Sequence, residues 1–194
     1  DYDDLVPCFT AGTHIETDKG DVLIEQLVIG DMLKTMDHAM QPIRWIGSTR
    51  RPAIDNLAPI LFRKGTLGNR RDLLVSPQHR MLVFGWQAEM LFGQVEVLVP
   101  AKALLSDGAV VRKPRGMVTY FHILFDQFDQ HEIIFAEGCA SESFQPNSKN
   151  IAGFDQNTSD EILELFPDLK MGNLPADYSS ARKSLKFKEA VLLA

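Results

Sequence analysis

The chain has little cysteine: two thiols, Cys8 and Cys139, among 194 residues. That is too few for a disulfide framework, and a structural bridge between the two is not expected. Cationic residues are also in the minority, 20 Lys and Arg against 26 Asp and Glu, for a net charge of −6. No face-sized basic excess is available outside the C-terminal region, so no DNA or RNA partner is expected. No apolar run approaches the ~20 residues that span a bilayer. The acidic opening Asp1-Tyr2-Asp3-Asp4 is unlike a signal peptide. A soluble protein with no membrane partner is expected, its compartment, cytoplasmic or secreted, being left open. There is no Cys-x-x-Cys or His-x-x-x-His pair, so neither a metal site nor a cofactor is expected. An initiator Met is missing too, which leaves open trimmed upstream residues or a fragment of something longer.

What is present is ample apolar material, 45% of residues, enough for one domain or one domain with an extension. Turn chemistry recurs every 8–12 residues in the first half. Thr13–Thr17 alternates and ends at the hairpin signal Asp18-Lys19-Gly20-Asp21, and short strands follow to Ile29-Gly30-Asp31, from Met32 to Met36, and from Pro42 to Gly47. This spacing predicts a mainly β, barrel-like or sandwich-like fold rather than βαβ units. Arg50, Arg51, Arg63, Lys64, Arg70 and Arg71 read as a solvated, loop-rich face, and Gly85–Gly93 as a bounded loop. Pro100–Leu105 predicts a short helix with proline in its first turn. Met117–Phe125 is the strongest strand, with Tyr120, His122 and Leu124 on one face, and His131–Gly138 is a second strand expected to pair with it as a hairpin. The loop between them repeats a triplet, Phe125-Asp126-Gln127 and Phe128-Asp129-Gln130. Beyond Asn147 the composition turns polar. A capping box at Thr158–Glu161 predicts a helix with Ile162, Leu165 and Phe166 in its stripe, ended by Pro167, and Ser180–Leu192 predicts a second, basic helix docked on its own domain.

The chemistry is concentrated at Val6-Pro7-Cys8-Phe9-Thr10-Ala11-Gly12-Thr13, where a cysteine stands at the entrance to the first strand. A nucleophilic thiol needs an acid or base, an oxyanion stabiliser and a carbonyl within reach. The nearest carbonyl is that of Pro7. Attack there moves the acyl group from nitrogen to sulfur and requires an acid for the departing amine of Cys8. Ser76-Pro77-Gln78-His79 interrupts an apolar strand with a polar bend. It offers His79 as the acid and Ser76 as a hydroxyl donor. His122 and His131 are placed to complete the constellation from a distant hairpin.

Taken together, Cys8–Thr13, Gly30-Asp31, Pro42–Gly47, Ser76–His79, Tyr120–His122 and His131–Gly138 resemble, in order, a Hint domain, the hedgehog/intein self-processing module, and are most similar to the bacterial Hint-domain proteins. The resemblance runs from about Cys8 to Ser143. It implies a horseshoe-like, all-β fold that brings the two ends of the module together. It also implies an N–S acyl-shift nucleophile at Cys8, a scissile Pro7–Cys8 bond, and at Ser76 and His79 the motif usually written Thr-x-x-His, with serine here replacing threonine. His131 falls where the family has a histidine before its last core strand, and His122 where inteins often carry aspartate. Inteins close with His-Asn, a pair this sequence lacks.

The resulting expectation is an upstream remnant, 1–7, an autoprocessing Hint domain, 8–146, and a helical extension, 147–194. The activity expected is autocatalytic, cysteine-dependent cleavage of the chain's own upstream polypeptide without full splicing. Water, a thiol or an amine would resolve the thioester. A non-catalytic Hint-fold interaction module is the alternative, and a trans-acting cysteine hydrolase or metal site built from Cys8, Cys139 and the histidines is a third. Cys139 reads as a small buried cysteine at a strand end, or as a second acceptor thiol.

Overall fold

The computed structural model describes residues 7–125, 132–144, 151, 154–165 and 180–193. Among these the chain is mainly β, with a few short helices, as the turn spacing indicated. The strands are β1 (Phe9–Thr10), β2 (His14–Thr17), β3 (Gly20–Leu23), β4 (Met32–Lys34), β5 (Met40–Ala53), β6 (Ile60–Phe62), β7 (Leu73–Val75), β8 (Arg80–Phe84), β9 (Glu96–Pro100), β10 (Val110–Arg112), β11 (Arg115–Phe125), β12 (Ile133–Ala136), β13 (Cys139–Glu142) and β14 (Lys183–Ser184). The helices are α1 (Trp86–Phe92), α2 (Gln156–Leu165) and α3 (Phe187–Ala190).

The order across the sheet is β10-β6-β7-β1-β11-β5-β4-β2-β12-β13-β8-β9-β14, with β3 on β2. Its spine is the long antiparallel pair β5 and β11, in register from Ile43↔Phe125 to Ala53↔Arg115 with a bulge at each end. β1 is only two residues long, yet it fills the slot between β7 and β11, with Phe9 opposite both Val75 and Phe121. That slot is what positions the first thiol. The main core joins Ile15, Leu33, Ile43, Phe62, Val75, Met81, Val99, Ile123 and Ile134. Full burial of each such side chain contributes roughly 1.5–3 kcal/mol.

Several expectations are corrected. β11 does not form a hairpin with β12. Both edges of β11 are occupied, by β5 and β1, while β12 pairs with β13 through the tight turn at Glu137-Gly138 and with β2. Gly85–Gly93 is not a loop but a helix framed by glycines. Gly93 at φ 65° is its left-handed C-cap, with its N–H donating to the Glu89 carbonyl at 2.9 Å. Arg50 and Arg51 do not lie in a loop-rich face, since β5 runs unbroken to Ala53. Arg63, Lys64, Arg70 and Arg71 do lie exposed among turns, as expected, and Arg70 and Arg71 there bond Glu16, Asp21 and Glu137. The Pro100–Leu105 turn forms as a 3₁₀ segment, Ala101–Leu104.

In the extension, α2 begins two residues before the expected cap, Thr158. Asp155 takes the Thr158 N–H on its carboxylate at 3.1 Å, so Thr158 sits inside the first turn. Ser180–Leu192 is not one helix: β14 adds in parallel to β9, and α3 and a 3₁₀ turn follow, with Leu185 buried. It docks on its own domain, as expected. No described helix is long and apolar enough to cross a membrane. His131, Phe166, Pro167 and the repeated triplet beyond Phe125 lie outside the described residues.

Candidate active site

Ser76 opens the β7–β8 bend, and the bend is closed by the His79 N–H donating to the Ser76 carbonyl at 3.0 Å. Pro77 removes a donor and fixes its φ, which suits the chain leaving a strand. Two bonds tie the bend to the 3₁₀ segment after β9: Ala101 N–H to the His79 carbonyl at 2.8 Å and Lys102 N–H to the Pro77 carbonyl at 2.9 Å. The bend then clamps Cys8 on both sides of its backbone. The Ser76 N–H donates to the Cys8 carbonyl at 3.0 Å, and the Cys8 N–H donates to Ser76 Oγ at 3.1 Å. The amide joining Pro7 to Cys8 is thus held by the serine hydroxyl.

On the other side of β1, the register Phe9↔Phe121 and Thr10↔Tyr120 carried one step further sets Cys8 opposite His122. The Cys8 Sγ lies 3.6 Å from His122 Nε2. Strand alternation sends the Phe9 side chain to the opposite face from Cys8. There Phe9 meets the His79 ring edge-on, with centroids 4.3 Å apart. The two histidines therefore flank the Cys8 backbone from different faces. Cys8 itself packs with Ala53, Val118 and Tyr120.

Electrostatics follow from burial. Ser76 and His79 are wholly buried, and Cys8 and His122 are 2% exposed. Burial pushes the Cys8 thiol far above its usual range, against the opposing pull of the Ser76 hydroxyl and the Arg51 charge. Burial likewise lowers His79 to about 3, with His122 adding to the effect and the Cys8 backbone opposing it. His122 is lowered to about 3 by burial, against the Pro7 backbone, with Arg51 adding to the lowering. Proline has no N–H, so the backbone group of Pro7 that favours a charged ring is its carbonyl. The ring nearest the thiol therefore also faces the carbonyl the thiol would attack. Both imidazoles are neutral at pH 7, and the thiol is protonated.

Neither ring nitrogen of His79, nor Nδ1 of His122, has a hydrogen-bond partner among the described residues. Buried polar groups rarely go unpaired, and a catalytic role is one of the reasons they do. Cys8, Ser76, His79 and His122 are thus brought together, whereas the position of His131 is outside the described residues. Cys139 is 2% exposed on β13, free of any disulfide, its thiol pushed up to about 12 by burial. It packs in the main core rather than with Cys8. Among the described residues no three His, Cys, Asp or Glu side chains converge as a metal-binding group.

The sequence reading missed three contributors. Arg51 shares a face with Trp45 and, across the sheet, with Val118, Tyr120 and His122; its parity with Trp45 would have shown this had β5 been read as one strand. Phe144 and Phe154 set their rings 5.3 and 4.9 Å from that of His122. No local pattern distinguishes these two from ordinary core aromatics.

The family model described as Hint domain matches residues 7–148. The chain belongs to the Hint domain family. That membership makes it one of the self-processing modules in general terms. Among solved structures, the MchDnaB-1 intein is 11% identical over 70% of this chain and 98% of its own, with a TM-score of 0.45. A DnaB intein from Synechocystis sp. PCC 6803 is 13% identical over 71% and 98%, with a TM-score of 0.44. A bacterial intein-like domain from Clostridium thermocellum is 12% identical over 70% and 97%, with a TM-score of 0.40. No curated protein matches the sequence.

Proposed function

We propose that this Hint domain cleaves its own chain at Pro7–Cys8 through an N–S acyl shift. The observation that carries the reading is the position of Cys8, its N–H held by Ser76 Oγ at 3.1 Å and its Sγ 3.6 Å from a His122 ring that faces the Pro7 carbonyl. In the first step the thiol proton passes to His122 Nε2 as Sγ bonds to the carbonyl carbon of Pro7. The Pro7–Cys8 C–N bond then breaks, and the Cys8 nitrogen takes the proton from the imidazolium, leaving a thioester, a free amine and neutral His122. An imidazolium that burial disfavours surrenders its proton readily. His79, whose ring nitrogens have no hydrogen-bond partner among the described residues, gains an acceptor when the scissile nitrogen pyramidalises and acquires a lone pair. Ser76 orients the amide throughout.

Water, a thiol or an amine then attacks the thioester carbon, the upstream segment leaves on the new nucleophile, and the Cys8 thiol is restored. The sequence has no His-Asn pair, so the reaction ends in cleavage and not in ligation of flanks. The test is intact mass spectrometry of the domain carrying a longer native upstream segment, with and without a small thiol. Thiol is expected to accelerate loss of the upstream mass at Pro7–Cys8, and Cys8→Ala to abolish it. His122→Ala and His79→Ala are expected to slow it at least a hundredfold. A native protein that stays whole under every condition overturns the reading. In that case the second reading holds, a Hint scaffold without turnover, which the near-complete burial of Cys8 favours.

A further inference from the structure

We propose that Phe154, backed by Phe144, is the residue that seals the Cys8–His122 site and sets which nucleophile can resolve the thioester, excluding water until it is displaced. The inference rests on the acyl-shift reading for its consequence, but not for its geometry.

The His122 ring is flanked edge-on by Phe154 at 4.9 Å and Phe144 at 5.3 Å, and these two rings lie 5.6 Å apart in the same edge-to-face manner. Such pairs are favourable because each ring presents a positive edge to a negative face. A fourth ring, Trp45, stands edge-on to Phe154 at 6.3 Å. It can fold back there only because Gly47, which pairs with His122 across β5 and β11, has no side chain. A Cβ on Gly47 would lie 2.3 Å from the indole.

Phe154 is held from behind. Its N–H donates to the Ile151 carbonyl at 3.0 Å, the same carbonyl accepts the Ser159 hydroxyl at 3.0 Å, and Ile151 and Ile162 are buried in one cluster with Trp45, Leu124 and Phe144. Phe154 keeps part of its surface exposed while the His122 ring it contacts is 2% exposed, so it is the more outward of the two rings. Behind it, Nδ1 of His122 is buried and has no hydrogen-bond partner among the described residues. Phe154 and α2 also lie beyond residue 148, where the family match ends, so the seal comes from this chain's own extension.

A thioester formed behind this wall has no water within reach. Formation needs no outside molecule, because the thiol, the histidine and the Pro7 carbonyl all belong to this chain, and the thiol and the histidine are already buried. Resolution does, and the entering group must move Phe154. Removing the ring should therefore change the second step far more than the first.

The experiment has two arms on Phe154→Ala and Phe154→Leu. In the first, the chain as it stands is treated with iodoacetamide, and modification of Cys8 and Cys139 is followed by peptide mass spectrometry. Cys8 of Phe154→Ala is expected to react at least tenfold faster than in the native protein, and Phe154→Leu, which keeps an apolar plug, no more than threefold faster. Cys139, remote from the wall, is the internal control and should keep its native rate in both. In the second arm, the longer upstream segment is present and no thiol is added. Phe154→Ala is expected to release the segment into water at least tenfold faster than the native protein, while hydroxylamine, which traps thioester already formed, yields similar amounts from both. Equal Cys8 reactivity in native and Phe154→Ala proteins overturns the seal, as does a parallel rise at Cys139, which would signal general unfolding. Faster alkylation with no cleavage in any protein leaves the seal standing and removes the acyl-shift reading instead.

Discussion

At the scale of single residues, the site works by giving one thiol two different neighbours. Ser76 deals with the amide and His122 with the sulfur, and each is reached through a different strand next to β1. The motif Ser76–His79 was legible in the sequence as a polar interruption in an apolar strand. What could not be read there was the division of contacts: the hydroxyl takes the Cys8 N–H, while the His79 nitrogens remain without a partner among the described residues. Ser76→Ala removes the hydroxyl that accepts the Cys8 N–H, a loss of about 1–3 kcal/mol. Urea unfolding should show this, and Ser76→Thr should recover most of it, since threonine restores the hydroxyl. A midpoint unchanged in Ser76→Ala would mean that the clamp contributes nothing.

At the scale of elements, the spine of β5 and β11 decides what the site contains. Pro42 to Gly47 reads locally as a short strand, and the basic residues after it as a loop-rich face. The strand continues because its partner continues: β11 supplies ten registered pairs, and Pro52 is tolerated next to the bulge between Arg115 and Met117. With that continuation Arg51 joins the face of the thiol. The same pairing places Gly47 opposite His122, where the absence of a side chain makes room for Trp45. Gly47→Ala forces the indole out of its position and should destabilise the protein by about 1–3 kcal/mol. Trp86 is already 64% exposed and Trp45 only 2%. A red shift of the emission in Gly47→Ala would therefore report Trp45 alone, and an unshifted spectrum would contradict the packing.

At the scale of the whole molecule, the fold keeps two neutral imidazoles out of water, and its stability must depend on pH accordingly. His79 and His122 are lowered to about 3 when folded, and each returns to an ordinary value near 6.5 on unfolding. Between those values the unfolded chain binds the proton and the folded one does not, so stability falls as the pH drops below about 6.5 and levels off near 3. Each ring contributes up to about 1.4 kcal/mol per pH unit in that window. His79→Leu, apolar and similar in size, should show a visibly shallower fall between pH 6 and 4 in parallel urea titrations. An identical slope would mean that His79 is not neutral in the fold.

The sequence by itself determined the residue types and the local grammar. It set a mainly β chain punctuated by turns, a cysteine at the mouth of the first strand, a Ser-Pro-Gln-His bend and a histidine on the strongest strand. Those features depend on neighbours a few residues away, where alternation, proline and glycine act directly. Only the tertiary structure decided that β1 enters between β7 and β11, bringing together groups 68 and 114 positions apart. It also decided that β12 turns to β13 instead of β11, and that Phe154 comes back from the extension to cover His122. Such pairings are chosen by the sum of buried area and satisfied backbone groups over the whole sheet, which no window of local sequence contains. The neutrality of the two histidines has the same origin, since it is the packed fold around them, and not their neighbours in sequence, that keeps water away.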